Sequence, residues 1–380
     1  MASRLALIHS GLLNPSKPLR SLSLAFGLWK ALVFLVVASC PGPGYDTSTG
    51  LLPHHSTTAA DVSPGNSNHV SLSILLEFVR WDSIYFIHIV ENGYVFEQEW
   101  AFGYGYTRLL FLLTTSVLPQ LKGLDGVTRF ALVAIALSHT THYLSVLALY
   151  KLSINIFGHD LKGNLISFLS AALHIVCPAG AFLSAPYGES LFSFLNITGY
   201  YLYSSSLLDE NAGRRAISHV KLLLAAIIFS IPTTVRSNGI LSGALFAYDA
   251  LLQLWRMSSQ GVSGVTLIRL AAIVGGGCLV GLGFIVPQWI AYTEFCMEER
   301  SVRPWCGRPI PSIYVWVQAH YWNVGFLRYW TISNLPFFIL AAPMLFVLCI
   351  SSIWALNATK SPDTGTSMLT RLAVPHAILG

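Results

Sequence analysis

Apolar runs of about twenty residues recur along nearly the whole chain. That recurrence leaves few folds open, because a helix needs about 20 apolar residues to cross hydrocarbon. Such runs fill residues 21–40, 128–150, 164–185, 188–207, 218–235, 238–255, 266–292 and 335–356. A shorter run at 107–121, with Pro119 near its end, falls below spanning length and reads as a re-entrant or interfacial helix. Only 10% of the 380 residues are charged and 54% are hydrophobic, so no stretch outside 41–105 is polar enough for a soluble domain. The reading is all-α: a polytopic helical membrane protein with about 8–10 membrane segments. It is taken as a single transmembrane domain over 1–380. The net charge of +5 does not point to nucleic acid, because Lys and Arg are dispersed at helix ends rather than clustered in a stripe.

Those dispersed charges set a topology, since positive residues prefer cytoplasmic loops. Arg4, Lys17 and Arg20 precede the first run, which is read as an uncleaved anchor, whereas 41–79 contains no Lys or Arg. The amino terminus is therefore placed in the cytoplasm and 41–105 on the far side. Arg214, Arg215 and Lys221 mark 209–221 as cytoplasmic, and Arg256 with Arg269 does the same for 256–265. Parity then puts three further segments with 41–105: the turn 185–190, the turn 234–239 and the loop 293–334.

Acids are scarce, which makes their concentration after residue 77 informative. Asp82, Glu91, Glu97 and Glu99 stand among Trp81, Tyr85, Tyr94, Phe96 and Trp100. Interfacial aromatics collect at headgroup level in any case, but a cluster of carboxylates beside them is what a functional site offers. By parity Glu189, Arg236 and the run Gln318–Trp330 share a membrane face with Asp82, which argues for one shared site. Arginine binds phosphate through two parallel hydrogen bonds, so Arg236 and Arg328 suit a lipid-linked phosphate. A carboxylate such as Asp82 suits a general base on a hydroxyl acceptor. Together they suggest group transfer from a lipid phosphate to a hydroxyl.

Other groups carry less. The acids contain no D-x-D pair, and no metal is expected. His139 and His142, at i and i+3, read as partners in interhelical hydrogen bonds, and His54-His55 as part of a disordered loop. Cys40, Cys177, Cys278 and Cys349 behave as small hydrophobes. Cys296 and Cys306 fall in one polar loop, and their spacing leaves both a free pair and a disulfide open. The sequons at Asn196 and Asn357 are expected to stay unmodified, the first inside a span and the second cytoplasmic.

The block Arg80-Trp81-Asp82 through Glu99-Trp100-Ala101-Phe102 resembles the first luminal loop of the PIG-V mannosyltransferase family. Tyr187-Gly188-Glu189-Ser190-Leu191-Phe192, Arg236-Ser237-Asn238-Gly239, Pro304-Trp305-Cys306 and Tyr321–Tyr329 are similar to its other segments, in order from about 78 to 345. The resemblance implies a multi-pass enzyme of the GT-C type in the endoplasmic-reticulum membrane, with its active site luminal. It implies transfer of mannose from dolichyl-phosphate mannose to a GPI-precursor glycolipid, as the second mannose in α1,6 linkage and with inversion. Asp82 occupies the position of the first-loop base. Donor and acceptor binding fall to Arg80, Trp81, Glu91, Glu99, Glu189, Arg236, Asn238, His320, Trp322, Asn323 and Arg328. No cofactor beyond the donor is implied; the partners are the two glycolipids, the lipid bilayer and a small membrane subunit, with no nucleic acid. The segment 101–106 lacks the proline expected of that loop, and Leu372–Ala377 reads as the start of a further apolar segment, so the chain is expected to be truncated. Two other readings are a different GT-C transferase and a transporter or non-catalytic scaffold. The chain shows no convincing repeat of the kind transporters carry, and a scaffold has no need of Asp82.

Overall fold

The computed structural model describes residues 14–40, 74–117, 126–297, 303–358, 368 and 371–375. His54-His55, most of 41–79, the end of 107–121 and residues 376–377 of the apolar start at 372–377 lie outside those residues. Among the described residues the chain is helical and contains no strand. In order the helices are α1 (Pro18–Ser39), α2 (Ser83–Asn92), α3 (Tyr104–Leu112), α4 (Gly126–Phe157), α5 (Leu161–Ile175), α6 (Glu189–Asn211), α7 (Arg215–Val235), α8 (Gly243–Gln260), α9 (Gly264–Tyr292), α10 (Ile313–Tyr321) and α11 (Leu335–Ala358). Short 3-10 turns cover Glu97–Ala101 and Ser237–Ser242.

Five of these helical stretches are long and apolar enough to cross a membrane: 18–39, 126–157, 215–235, 264–297 and 332–354. Their outer faces carry bare Leu, Ile, Val and Trp side chains, such as Ile268, Leu282, Ile285 and Trp289 on α9. An apolar surface of that extent requires lipid rather than water around it. The protein is thus the polytopic helical membrane protein that its apolar runs imply. The expected runs at 188–207 and 238–255 form helices of spanning length, α6 and α8. They are less apolar than the five, since α6 carries Tyr200, Tyr201 and Tyr203 through Ser206, and α8 carries Asp249 and Gln253. The run 107–121 stays short, as α3 followed by one π turn, Leu113–Val117.

One expectation is corrected. The run 164–185 is not a continuous span: α5 stops at Ile175, and the chain continues to Gly188 in turns. Pro178 lacks the amide that a continuing helix would need, and Gly180 sits against the Trp29 indole, where a Cβ would come within 3.4 Å. The carbonyls freed by the break find donors. The Lys30 ammonium, buried in α1, donates to the Leu183 carbonyl and the Ser184 hydroxyl, each at 2.8 Å. Ser138 on α4 donates to the Ala185 carbonyl at 2.7 Å. Irregular backbone at membrane depth survives only with such internal partners.

The chain divides into two compact units, 1–95 with 102–198, and 96–101 with 199–380. In the first, Leu22 of α1, Val146 of α4 and Phe168, Ala171 and Ile175 of α5 form a closed core. His142 on α4 meets the His174 carbonyl of α5 at 3.3 Å, the interhelical bond expected of it. In the second unit α7 and α9 pack closely because Gly283 lies against α7. A Cβ there would stand 2.2 Å from the Ser230 carbonyl oxygen. Small residues permit this approach, which drives helix association in lipid.

Candidate active site

The first unit holds Arg80, Trp81, Asp82, Glu91 and Glu189. Asp82 ends a tight turn, 80–82, and α2 begins at the next residue. Trp81 adopts φ +50°, a left-handed conformation that a bulky side chain rarely takes. Two contacts hold it there. The Trp81 indole stacks on Phe182 at 5.9 Å, and the buried Tyr187 hydroxyl donates to the Arg80 carbonyl at 2.8 Å. The backbone amides of Asp82 and Ser83 direct hydrogen bonds back at the same hydroxyl. Burial pushes the Tyr187 phenol well above its ordinary value, and the charges of Asp82 and Glu189 push it further. Tyr187 therefore stays protonated and keeps its donor role.

The carboxylate of Asp82 is solvent-exposed above this clamped turn. Glu189 opens α6, where a negative side chain is favoured by the helix dipole. Its charge reaches both Tyr187 and the buried Tyr106. Arg80 forms an ion pair with Glu77 and is half-buried. The structure thus brings Arg80, Trp81, Asp82 and Glu189 around one tyrosine. Glu91 is placed elsewhere. It lies at the far end of α2, nine residues from Asp82, a separation of roughly 14 Å at the helical rise. Its carboxylate closes on the start of α4, where a Cβ on Gly126 would meet Glu91 Oε1 at 2.6 Å.

The second unit holds the remaining residues. Glu99 is buried and accepts from the Phe96 amide at 2.8 Å, which closes its own 3-10 turn. Glu97, also buried, accepts from the Trp305 indole at 3.0 Å and faces Tyr321 at 3.4 Å and Arg303 at 3.5 Å. Burial and the Glu97 charge raise the Tyr321 phenol. Cys306, next to Trp305, is bonded to Cys296, so the 293–334 loop is fastened twice. Among the described residues no three His, Cys, Asp or Glu side chains gather as a metal-binding set.

Arg236 and Asn238 are exposed on the turn between α7 and α8. The chain reverses tightly because Gly239 lies on Thr233; a Cβ there would sit 2.7 Å from the Thr233 N and Cα atoms. His320 stacks on Trp316 at 4.6 Å. Trp322, Asn323 and Arg328 follow on an exposed segment, in which Arg328 donates to the Asn323 side-chain Oδ1 at 3.2 Å. Asn323 and Leu327 both adopt positive φ there.

Sequence reasoning missed the roles of two residues that shape the first unit's turns, Tyr187 and Lys30. Lys30 left a signal: a lone ammonium inside a twenty-residue apolar run is costly unless it has a task. Tyr187 opens the 187–192 segment that carries the family resemblance, but nothing local shows its hydroxyl's task, since a tyrosine near a membrane interface is ordinary.

The fold and these turns define a class, the polytopic all-helical membrane proteins that present carboxylates and arginines on the connections between their spans. The family model described as Mannosyltransferase (PIG-V) matches residues 23–365. The chain belongs to the PIG-V mannosyltransferase family. Among its relatives, GPI mannosyltransferase 2 of Aspergillus oryzae is 66% identical over 380 residues, all of this chain and 83% of that protein. GPI mannosyltransferase 2 of Aspergillus fumigatus is 54% identical over 97% of this chain and 78% of its own length. The GPI alpha-1,6-mannosyltransferase 2 of Rattus norvegicus is 32% identical over 76% of this chain and 60% of its own length. No solved structure matches the chain.

Proposed function

We propose that this protein transfers a mannosyl group from dolichyl-phosphate mannose to a GPI-precursor glycolipid on the luminal face of the endoplasmic-reticulum membrane. The mannose added is the second, in α1,6 linkage. The observation that carries the reading is the exposed Asp82 carboxylate on a turn held by Tyr187. Asp82 removes the proton from the acceptor 6-hydroxyl as that oxygen attacks the anomeric carbon. The bond from that carbon to the phosphate oxygen breaks, and dolichyl phosphate leaves with the electron pair. Attack opposite the leaving group inverts the anomeric centre, from β in the donor to α in the product. Electrons and atoms balance without a redox partner.

Arg236 supplies the phosphate contact: a guanidinium offers two parallel hydrogen bonds to a phosphate that gains charge as the bond breaks. Arg328, Asn323, Trp322 and His320 serve the glycolipids on the exposed 320–330 segment, with Asn238 beside Arg236. A small membrane subunit accompanies the chain in this reading. Support comes from family membership and from the rat relative, whose name specifies the α1,6 linkage.

Cells lacking the second GPI mannose, complemented with Asp82→Asn, test the assignment. The variant should insert and accumulate normally yet lose transfer by about 100- to 10,000-fold, the usual consequence of removing a general base. Normal surface levels of GPI-anchored protein in those cells refute it.

A further inference from the structure

Five basic residues mark 209–221 and 256–269, and the structure separates them into two kinds. Arg214 and Lys221 both pair with the single Asp209 carboxylate, at 2.5 and 2.6 Å. Arg269 is buried and pairs with Glu210 at 2.9 Å, with a further bond to Ser218. Arg215 and Arg256 make no ion pair among the described residues, and both are exposed. They line the same cleft as Arg269, a cavity of about 460 Å³ bounded by the start of α7, the end of α8 and the start of α9.

The charge of that lining is lopsided. Three guanidiniums, from Arg215, Arg256 and Arg269, face one carboxylate, Glu210, so three minus one leaves +2 with His219 neutral. Glu210 is already engaged by Arg269, which leaves the excess on the two unpaired arginines. The rest of the wall offers neutral hydrogen-bonding groups, among them Gln253 and Gln260. The rim is apolar: Val262 and Val265 line the cleft and are 66% and 45% exposed, and Trp255, next in sequence to Arg256, is 69% exposed. A bare tryptophan in the last two turns of a helix suits the headgroup level of a membrane.

We propose that this cleft binds the phosphate of an anionic phospholipid, at the membrane face that carries 209–221 and 256–265. Arg215 and Arg256 hold the phosphate, and the acyl chains lie along Trp255, Val262 and Val265. The site is independent of the transfer reaction: none of its residues is assigned to donor or acceptor. Free phosphate shares the headgroup chemistry, but the apolar rim favours the lipid.

The full-length chain, purified and placed in phosphatidylcholine nanodiscs, is titrated with dioctanoyl phosphatidic acid, dioctanoyl phosphatidylcholine and inorganic phosphate in separate arms. Phosphatidic acid should bind saturably with one molecule per chain. Arg215→Gln/Arg256→Gln should weaken that binding about tenfold or more, since each charged hydrogen bond contributes substantially. Gln260→Glu, nearly isosteric and exposed, should weaken it without removing a cation. Lys151→Gln/Lys162→Gln, which removes two exposed charges elsewhere, should leave it unchanged. Inorganic phosphate competing at the same concentration as the lipid overturns the lipid assignment. Equal binding of phosphatidylcholine, unchanged affinity in the double arginine variant, or an equal loss in the lysine control overturns the site.

Discussion

Tyr187→Phe removes one hydroxyl and nothing else, and it tests whether the clamped turn serves catalysis. The Arg80 carbonyl loses the Tyr187 donor but keeps Ser83, whose hydroxyl donates to it at 2.5 Å, so it is not orphaned. The amides of Asp82 and Ser83 lose their interaction with the Tyr187 oxygen, although the Ser83 amide keeps the Arg80 carbonyl at 3.2 Å. Each net hydrogen bond contributes about 0.5–1.5 kcal/mol, so the set opposes the strain of Trp81 at φ +50°, itself about 1–3 kcal/mol. Losing about 2 kcal/mol of that restraint lets the turn relax and lowers the population with Asp82 correctly placed by about 30-fold. Microsomes from cells lacking the endogenous enzyme, assayed with labelled dolichyl-phosphate mannose, should show kcat reduced by roughly that factor. The donor KM and thermal stability should stay near the parent values. The expected loss is smaller than for Asp82→Asn, and the two should not multiply: once the base is gone, its placement no longer matters. Full activity in Tyr187→Phe, or a double variant far below Asp82→Asn alone, refutes the reasoning.

Gly239→Ala forces a Cβ to 2.7 Å from the Thr233 backbone and should cost about 1–3 kcal/mol, read as a lower melting temperature in detergent. Arg236→Lys keeps the charge but loses the planar fork; donor titrations should show a raised KM for it and for Arg236→Ala, and an unchanged KM in both removes Arg236 from the donor site. Thiol alkylation of the denatured, unreduced protein should modify four of the six cysteines, because Cys296 and Cys306 are joined and Cys40, Cys177, Cys278 and Cys349 are free. An Asn-x-Thr sequon built at 307–309 should acquire a glycan, while one at Ser258 should not; the reverse pattern refutes the assigned sidedness.

The sequence by itself determined the solvent of this protein. Apolar runs such as 266–292 can be satisfied only by lipid, and a span there must be helical because hydrocarbon offers the backbone no partner. The order of the polar segments was equally legible, and with it the family. Tertiary structure decided what each polar residue does. Asp82, Glu91, Glu97 and Glu99 stand within eighteen residues and look like one acidic cluster. The fold sends Glu91 to the far end of α2, buries Glu97 under Trp305 and closes a turn with Glu99, leaving Asp82 exposed at the clamped turn. The break after Ile175 shows the same limit: an apolar run reports the medium but not whether its backbone stays helical. That depended on Lys30, 153 residues before the Leu183 carbonyl it satisfies. Hydropathy is a local property, read one residue at a time. A hydrogen bond to a distant carbonyl, or a tyrosine under a strained turn, exists only once the helices have packed.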